Sequence, residues 1–273
     1  MNKTLNKLLK KVIVILVGLI YLVPFYILIN VAFKPTTDTS SYWMLPKQLY
    51  LENFMNAWVN AKLGRAFKNN ILITVIVVVI VILVGSFAAY PLARCKTKIN
   101  NFVYTLSISC LIVPPLTILV PLYKLIVNTT GTSTYPGIVL PHVAFQLPIT
   151  IFLYTGFISS ISRELDEAAL IDGSSRFGIF FRIIMPLLKP ITSSVIIMVG
   201  VSIWNDYTFS VFFLQKPTMY TLTVSLSQFF SQYSNNLSWV AAGCMLSAIP
   251  MAILYFSLQK HFVKGLSAGA VKG

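Results

Sequence analysis

Charge is what this chain has little of. Charged residues make up 10% of it, and acidic residues number 7 in 273 positions. Soluble domains carry about 25% charged residues, so an ordinary water-facing globular surface is excluded. The three cysteines, Cys95, Cys110 and Cys244, have no paired spacing, which argues against a disulfide frame or a thiolate metal site. Two histidines, His142 and His261, are too few for a histidine-based metal centre. A P-loop is missing as well. Gly173 and Gly178 have the G-x-x-x-x-G separation, but Ile179 and Phe180 follow where Lys and Ser/Thr would hold phosphates. Neither G-x-S-x-G nor H-E-x-x-H occurs. No metal, cofactor or catalytic set is therefore expected in this chain.

Apolar residues are what it has in excess. Hydrophobic residues reach 56% and the mean hydropathy is +0.79, values of a polytopic membrane protein. A net charge of +14 could suggest nucleic acid, but the basic residues cluster at the ends of apolar runs, as membrane anchors do. A spanning helix needs about 20 mostly apolar residues. Six runs qualify, at about 11–33, 70–93, 102–127, 137–159, 191–214 and 240–262. The first is too long for a signal-peptide core and lacks a clear small-residue cleavage site, so it reads as a retained span. With the N-terminus inside, fourteen Lys and Arg fall in inside segments and six outside, with Lys124 near the outer end of the third run. That asymmetry predicts six spans, both termini in the cytoplasm and the loop 160–190 on the same side. The reading is one all-α membrane domain over 1–273.

Four of the seven acidic residues sit together in that loop: Glu164, Asp166, Glu167 and Asp172. Residues 167–171 favour a helix, Asp172-Gly173 stops it, and Ser174 or Ser175 can cap a second helix. Phe177, Ile179, Phe180, Phe181 and Ile183 supply its apolar face, and Pro186 and Pro190 break it before the next run. By pattern alone this is an amphipathic connector lying on the membrane.

The identities say more. Glu167-Ala168-Ala169, Asp172-Gly173, Phe180, Ile183, Pro186 and Pro190 resemble the EAA loop of ABC-importer permease subunits, with Ser174 and Met185 standing where that pattern has Ala and Leu. The resemblance implies the type I ABC-importer permease fold and a coupling helix that docks on a separate ATPase subunit. The chain's end, FVKGLSAGAVKG, looks by composition like a flexible basic tail. It also resembles the ending of maltose-class permeases, with Ser267 in place of Thr. There the tail, 263–273 in this chain, reaches between the two ATPases, which assigns that role to Gly265, Leu266, Gly269 and Lys272. The resemblance further implies a homologous second permease, two ATPase subunits that bind ATP and Mg, an extracytoplasmic solute-binding protein and a bacterial cell membrane.

Solute-facing residues are sought among polar groups inside spans. Pro114, Pro115 and Pro121 in the third run, and Pro141 and Pro148 in the fourth, mark either kinked packing or hinged helices lining a pathway. His142, Gln146 and Thr150 share one face of the fourth helix and should face protein or a cavity. Asp206 is the one acidic residue within a run. It is expected on one helical face with Ser202, Asn205, Phe209 and Phe213, either fixing packing or touching solute. Trp204-Asn205-Asp206 resembles the segment that faces the pathway in sugar-importer permeases, so a carbohydrate, an oligosaccharide by preference, is the expected solute. The outer loop 34–68 reads as an interfacial aromatic belt or, by the same resemblance, as a surface for the partner permease and binding protein. A secondary transporter would need inverted repeats and an ion site, and a membrane enzyme a convergent catalytic set. A permease for a non-sugar solute stays open.

Overall fold

The computed structural model describes residues 3–270, with side chains from 7 to 260. Of the tail residues, Gly265, Leu266 and Gly269 lie outside the described side chains and Lys272 outside the described residues. The described chain is helical, with no strand among the described residues. It divides into two compact units, Met1–Gly64 with Ser225–Ile249 and Arg65–Val224 with Pro250–Gly273.

The elements follow in order. Helix α1 (Lys3–Ala32) leads through an irregular loop to α2 (Glu52–Asn60) and then α3 (Leu63–Arg94). Helices α4 (Lys98–Ser109) and α5 (Leu119–Thr129) flank two short 3₁₀ turns, and α6 (Tyr135–Ser160) follows. The loop helices are α7 (Glu164–Ile171), α8 (Arg176–Ile179), a π turn at Phe180–Ile184 and α9 (Met185–Leu187). Beyond them come α10 (Lys189–Trp204), α11 (Thr208–Phe213), α12 (Leu222–Gln232) and α13 (Leu237–Ala270). Among the described residues four helices are long and apolar enough to cross a membrane, and up to six spans result if each of two bent pairs counts as one.

The third run is bent at its prolines, and the fifth corrects the expectation of one continuous helix. In the third run the chain turns by 93° between Lys98–Ile112 and Pro115–Thr129. The cause is the proline pair. A residue ahead of proline avoids the helical region, so Val113 and Pro114 both go extended, with ψ 115° and 133°. Isolated Pro141 and Pro148 each delete one donor and leave α6 continuous. The fifth run is not one helix over 191–214 either. α10 stops at Trp204, and 205–207 are non-helical before α11. Asn and Asp side chains compete for backbone groups, and Asn205 donates to the Val201 carbonyl while Asp206 caps the next helix. Asp206 and Phe209 thus do not share an unbroken helical face with Ser202. A second bend, 73°, separates Arg176–Leu187 from Lys189–Trp204, where Pro190 has no N–H to give the Pro186 carbonyl.

In the larger unit the core is built from α3, α6 and α10, with Val77, Val81, Ile138, Tyr154, Ile158 and Val195 all fully buried. Close approach of α3 to α6 depends on Gly85. A Cβ there would lie 2.6 Å from Thr150 Cγ2. Thr150 therefore serves packing, its hydroxyl returned to the Gln146 carbonyl of its own helix at 2.8 Å. In the smaller unit Lys34 is buried yet satisfied, donating to Ser40 Oγ and the Ser41 carbonyl, while Asn53 donates to the Ala32 and Lys34 carbonyls. The loop is thereby folded back on the end of α1, with Trp43, Met44 and Leu45 exposed.

Candidate coupling loop and solute cavity

The acidic loop forms the expected helix, glycine turn and helix. α7 ends at Asp172, and Gly173 takes φ +79°, a left-handed conformation that favours glycine. Its neighbours close the end in the manner of a Schellman cap, Ser174 N–H donating to the Ala169 carbonyl and Gly173 N–H to that of Leu170. Ser175 rather than Ser174 is the N-cap of α8, its hydroxyl accepting from Gly178 N–H. Glu167, Ala168 and Asp172 face outward beside Leu170 and Ile171, and Ile171 is 85% exposed. Ala169 and Phe180 point inward and are buried, and Pro186 is exposed. The exposed side of α7 and its C-cap thus presents three carboxylates, Glu164, Glu167 and Asp172, beside bare aliphatic side chains.

What holds this loop was not read from the sequence. Asp166, quoted only as one acid among four, is buried. Its Oδ2 pairs with Arg94 Nη2 at 2.7 Å, and its Oδ1 accepts from Tyr90 OH at 2.5 Å. Arg94 also donates to the carbonyls of Ile161 and Ser162, at 2.9 and 3.4 Å. The end of α3 therefore grips both the start of the loop and α7. Phe180 packs on Tyr90 and edge-on to Phe87, while Phe177 and Phe181 stack on Phe87. A cavity of about 380 Å³ lies between these rings and α7, with Arg163, Arg176 and Glu167 at its edge. The one available signal was position: an arginine and a tyrosine four residues apart closing an apolar run.

The second place is the gap between α10 and α11. Two carbonyls at the gap are met by side chains from elsewhere in the unit. Asn70 Nδ2 donates to the Trp204 carbonyl and Asn70 Oδ1 accepts from Leu222 N–H; Thr223 Oγ1 donates to the Asp206 carbonyl. Asn69 does the same for the carbonyls of Thr218 and Tyr220 and accepts from Tyr135 OH. Asn69 and Asn70 were missed by sequence reasoning, though two amides heading an apolar run were the sign. Irregular backbone at membrane depth persists where it is satisfied in this way.

Asp206 has a structural task of its own. Its Oδ1 accepts from Phe209 N–H, and its Oδ2 from Ser210 N–H and Ser210 Oγ, at 3.2, 2.8 and 2.9 Å. His142 Nε2 stands 3.6 Å from Oδ2, and its ring lies against Phe209. Asp206, His142 and Gln146 line one cavity of about 340 Å³ with Phe145, Ser202 and Phe209, and Gln146 donates to Ser202 Oγ at 2.8 Å. Three of the five proposed pathway residues are thus brought together. Trp204 and Asn205 are not on this lining. Trp204 is buried against Phe67, and Asn205 is exposed. Among the described residues no cluster of three or more His, Cys, Asp or Glu could hold a metal ion.

An all-helical fold with broken spans, a glycine-hinged acidic loop pinned to the end of one span and a small polar cavity at a break in another describes a membrane permease. The chain belongs to the family of binding-protein-dependent transport system inner membrane components, whose pattern matches residues 81–268. It is 46% identical over 259 residues to the melibiose/raffinose/stachyose import permease protein MelC of Bacillus subtilis, covering 94% of each chain. With the starch degradation products transport system permease protein AmyC of Thermoanaerobacterium thermosulfurigenes, described as probable, it shares 34% over 94% of each. In fold it is similar to a chain of a bacterial ABC transporter involved in the import of the acidic polysaccharide alginate, with a TM-score of 0.77 at 20% identity, covering 96% of this chain and 99% of that one. A second such structure, in complex with an alginate pentasaccharide-bound periplasmic protein, matches at a TM-score of 0.70 and 16% identity, over 93% of both chains.

Proposed function

We propose that this chain is one transmembrane subunit of an ATP-driven importer that moves a saccharide, an oligosaccharide by preference, into a bacterial cell. The observation that carries the reading is near full-length identity of 46% to a permease named for melibiose, raffinose and stachyose. Six spans would place both termini and the loop 160–190 in the cytoplasm, with each bent pair counted as one span. Glu167, Ala168, Ala169, Asp172, Gly173, Phe180 and Pro186 would then couple the permease to an ATPase, the outward residues by contact and the buried ones by holding the turn. ATP and Mg belong to two partner ATPase subunits, and the tail with Gly265, Leu266, Gly269 and Lys272 reaches toward them. A homologous second permease completes the membrane part, and an extracytoplasmic binding protein delivers solute. The three donors on Asp206 favour this reading over a secondary transporter, since its carboxylate is engaged as a helix cap rather than held for a coupling ion.

The test is reconstitution of all subunits in proteoliposomes with ATP inside and the binding protein outside. ATP-dependent accumulation of raffinose or melibiose is expected, lost without the ATPases. ATP-dependent uptake of a non-carbohydrate in place of every saccharide tried would reject the sugar assignment. Uptake by this chain alone on an ion gradient would reject the importer.

A further inference from the structure

The cavity at the α10–α11 gap has a definite electrostatic character. Its lining offers one carboxylate, Asp206, one imidazole, His142, and the neutral groups of Gln146, Ser202 and Thr208. No lysine or arginine lines it. All the hydrogen-bond donors to Asp206, the N–H groups of Phe209 and Ser210 and the Ser210 hydroxyl, are uncharged. With His142 neutral the cavity carries one negative charge, and with His142 protonated the pair cancels. In neither state is its net charge positive. A solute carboxylate entering here would lose water beside another carboxylate with no counter-ion, which is among the most unfavourable transfers available to it. A neutral polyol meets an amide and hydroxyls for its own hydroxyls, and the faces of Phe145 and Phe209 for its C–H groups.

We propose that this cavity filters solutes by charge, with Asp206 as the specificity-determining residue that admits neutral saccharides and excludes acidic ones. The proposal rests on the saccharide-importer reading and adds the class of saccharide. His142 has a part in it as a positioning residue: it is 4% exposed and its Nε2 has no hydrogen-bond partner other than the Asp206 oxygen at longer range. Asp206 stays on the cavity lining because three donors fix it there.

The experiment reads the cavity directly, in the assembled permease–ATPase complex without the binding protein, so that the latter's selection does not intervene. Cys95, Cys110 and Cys244 are replaced by Ser, and Ser202→Cys, at an exposed position on the lining, is the reporter. Labelling rates are measured with a cationic and an anionic methanethiosulfonate, each normalised to a free small thiol. Wild-type charge should favour the cation by roughly tenfold or more, the size of a unit charge acting within a few ångströms at a partly hydrated site. Asp206→Asn keeps an oxygen for the cap and should bring the ratio several-fold closer to one. Raffinose should slow labelling, and digalacturonate should do so only in Asp206→Asn. Thr208→Cys is the second reporter if Ser202→Cys fails to assemble. An ion preference indifferent to Asp206→Asn, or equal protection by both sugars in the Asp206 protein, overturns the proposal. Protection by neither sugar, with the ion preference intact, overturns instead the saccharide reading on which it rests.

Discussion

Asp166 is the residue whose loss should say most about how the acidic loop is held. Asp166→Asn keeps an oxygen for Tyr90 OH and removes the charge opposite Arg94. Breaking a buried ion pair by removing one partner costs about 3–5 kcal/mol. Two features reduce that here. The side chains of Arg94 and Asp166 retain 9% and 12% exposure, so some water reaches them, and Arg94 keeps its bonds to the Ile161 and Ser162 carbonyls. A loss of about 2–3 kcal/mol remains, which is a 30- to 150-fold rise in local opening at about 1.4 kcal/mol per factor of ten. The opening should be local, because α3 is held along its length by core contacts of its own. Hydrogen exchange in detergent or nanodiscs gives the readout. The N–H groups of Glu167, Asp172 and Ser174, bonded to the carbonyls of Arg163, Ala168 and Ala169, should exchange about two orders of magnitude faster, while α3 and α6 keep their protection. The double variant Arg94→Met/Asp166→Leu should exchange more slowly than Asp166→Asn, because it leaves no uncompensated charge. Unchanged exchange in α7 on Asp166→Asn would refute the reasoning, and equal acceleration throughout α3 would show that the pair supports the whole unit.

Three further outcomes follow from contacts described above. At Gly173, with φ +79° and open space around a new Cβ, the strain is purely conformational; Gly173→Val should cost about 1–2 kcal/mol and reduce uptake with normal membrane insertion, while Gly173→Asn stays close to wild type. Gly85→Ala should lower the thermal stability of the purified complex by about 1–3 kcal/mol of overpacking, and Thr150→Ser, which deletes the methyl in the way, should restore most of it. Asn70→Leu orphans the Trp204 carbonyl and the Leu222 N–H, about 1–3 kcal/mol each, so complex yield should fall sharply; Asn70→Asp, which retains only the acceptor, should fall between. Equal yields for all Asn70 variants would mean that water replaces the side chain at the gap.

Apolar run length made the spans legible, because crossing a membrane imposes a length that composition alone satisfies. The loop was legible through its punctuation: Asp172-Gly173 and the serine cap demand the turn found there. Side-chain service to the backbone left no such trace. Whether Asp206 continues a helix or caps a new one depends on Asn70 and Thr223 arriving from distant parts of the chain, so a periodicity drawn along 191–214 carried its face straight through the break. The 93° turn at Val113–Pro115 was within reach, since two adjacent prolines disfavour helix at two successive residues, whereas Pro141 and Pro148 each disfavour it at one and leave α6 continuous. Asp166 hid for a related reason. Next to Glu164 and Glu167 it looks like solvent-facing charge, and only the arrival of Arg94 and Tyr90 distinguishes it.

Helix α3 meets the Trp204 carbonyl through Asn70 near one end and Asp166 through Tyr90 and Arg94 at the other, about 30 Å of helix between them at 1.5 Å per residue. An α-helix of that length, with one face packed in the core, is a stiff connector between the two fastenings. Whatever factor a ligand at the gap imposes on the affinity of the acidic loop for its partner, that partner must impose on the affinity of the gap for its ligand. On the importer reading, solute affinity measured with and without the ATPases, and ATPase affinity measured with and without solute, should therefore change by one common factor.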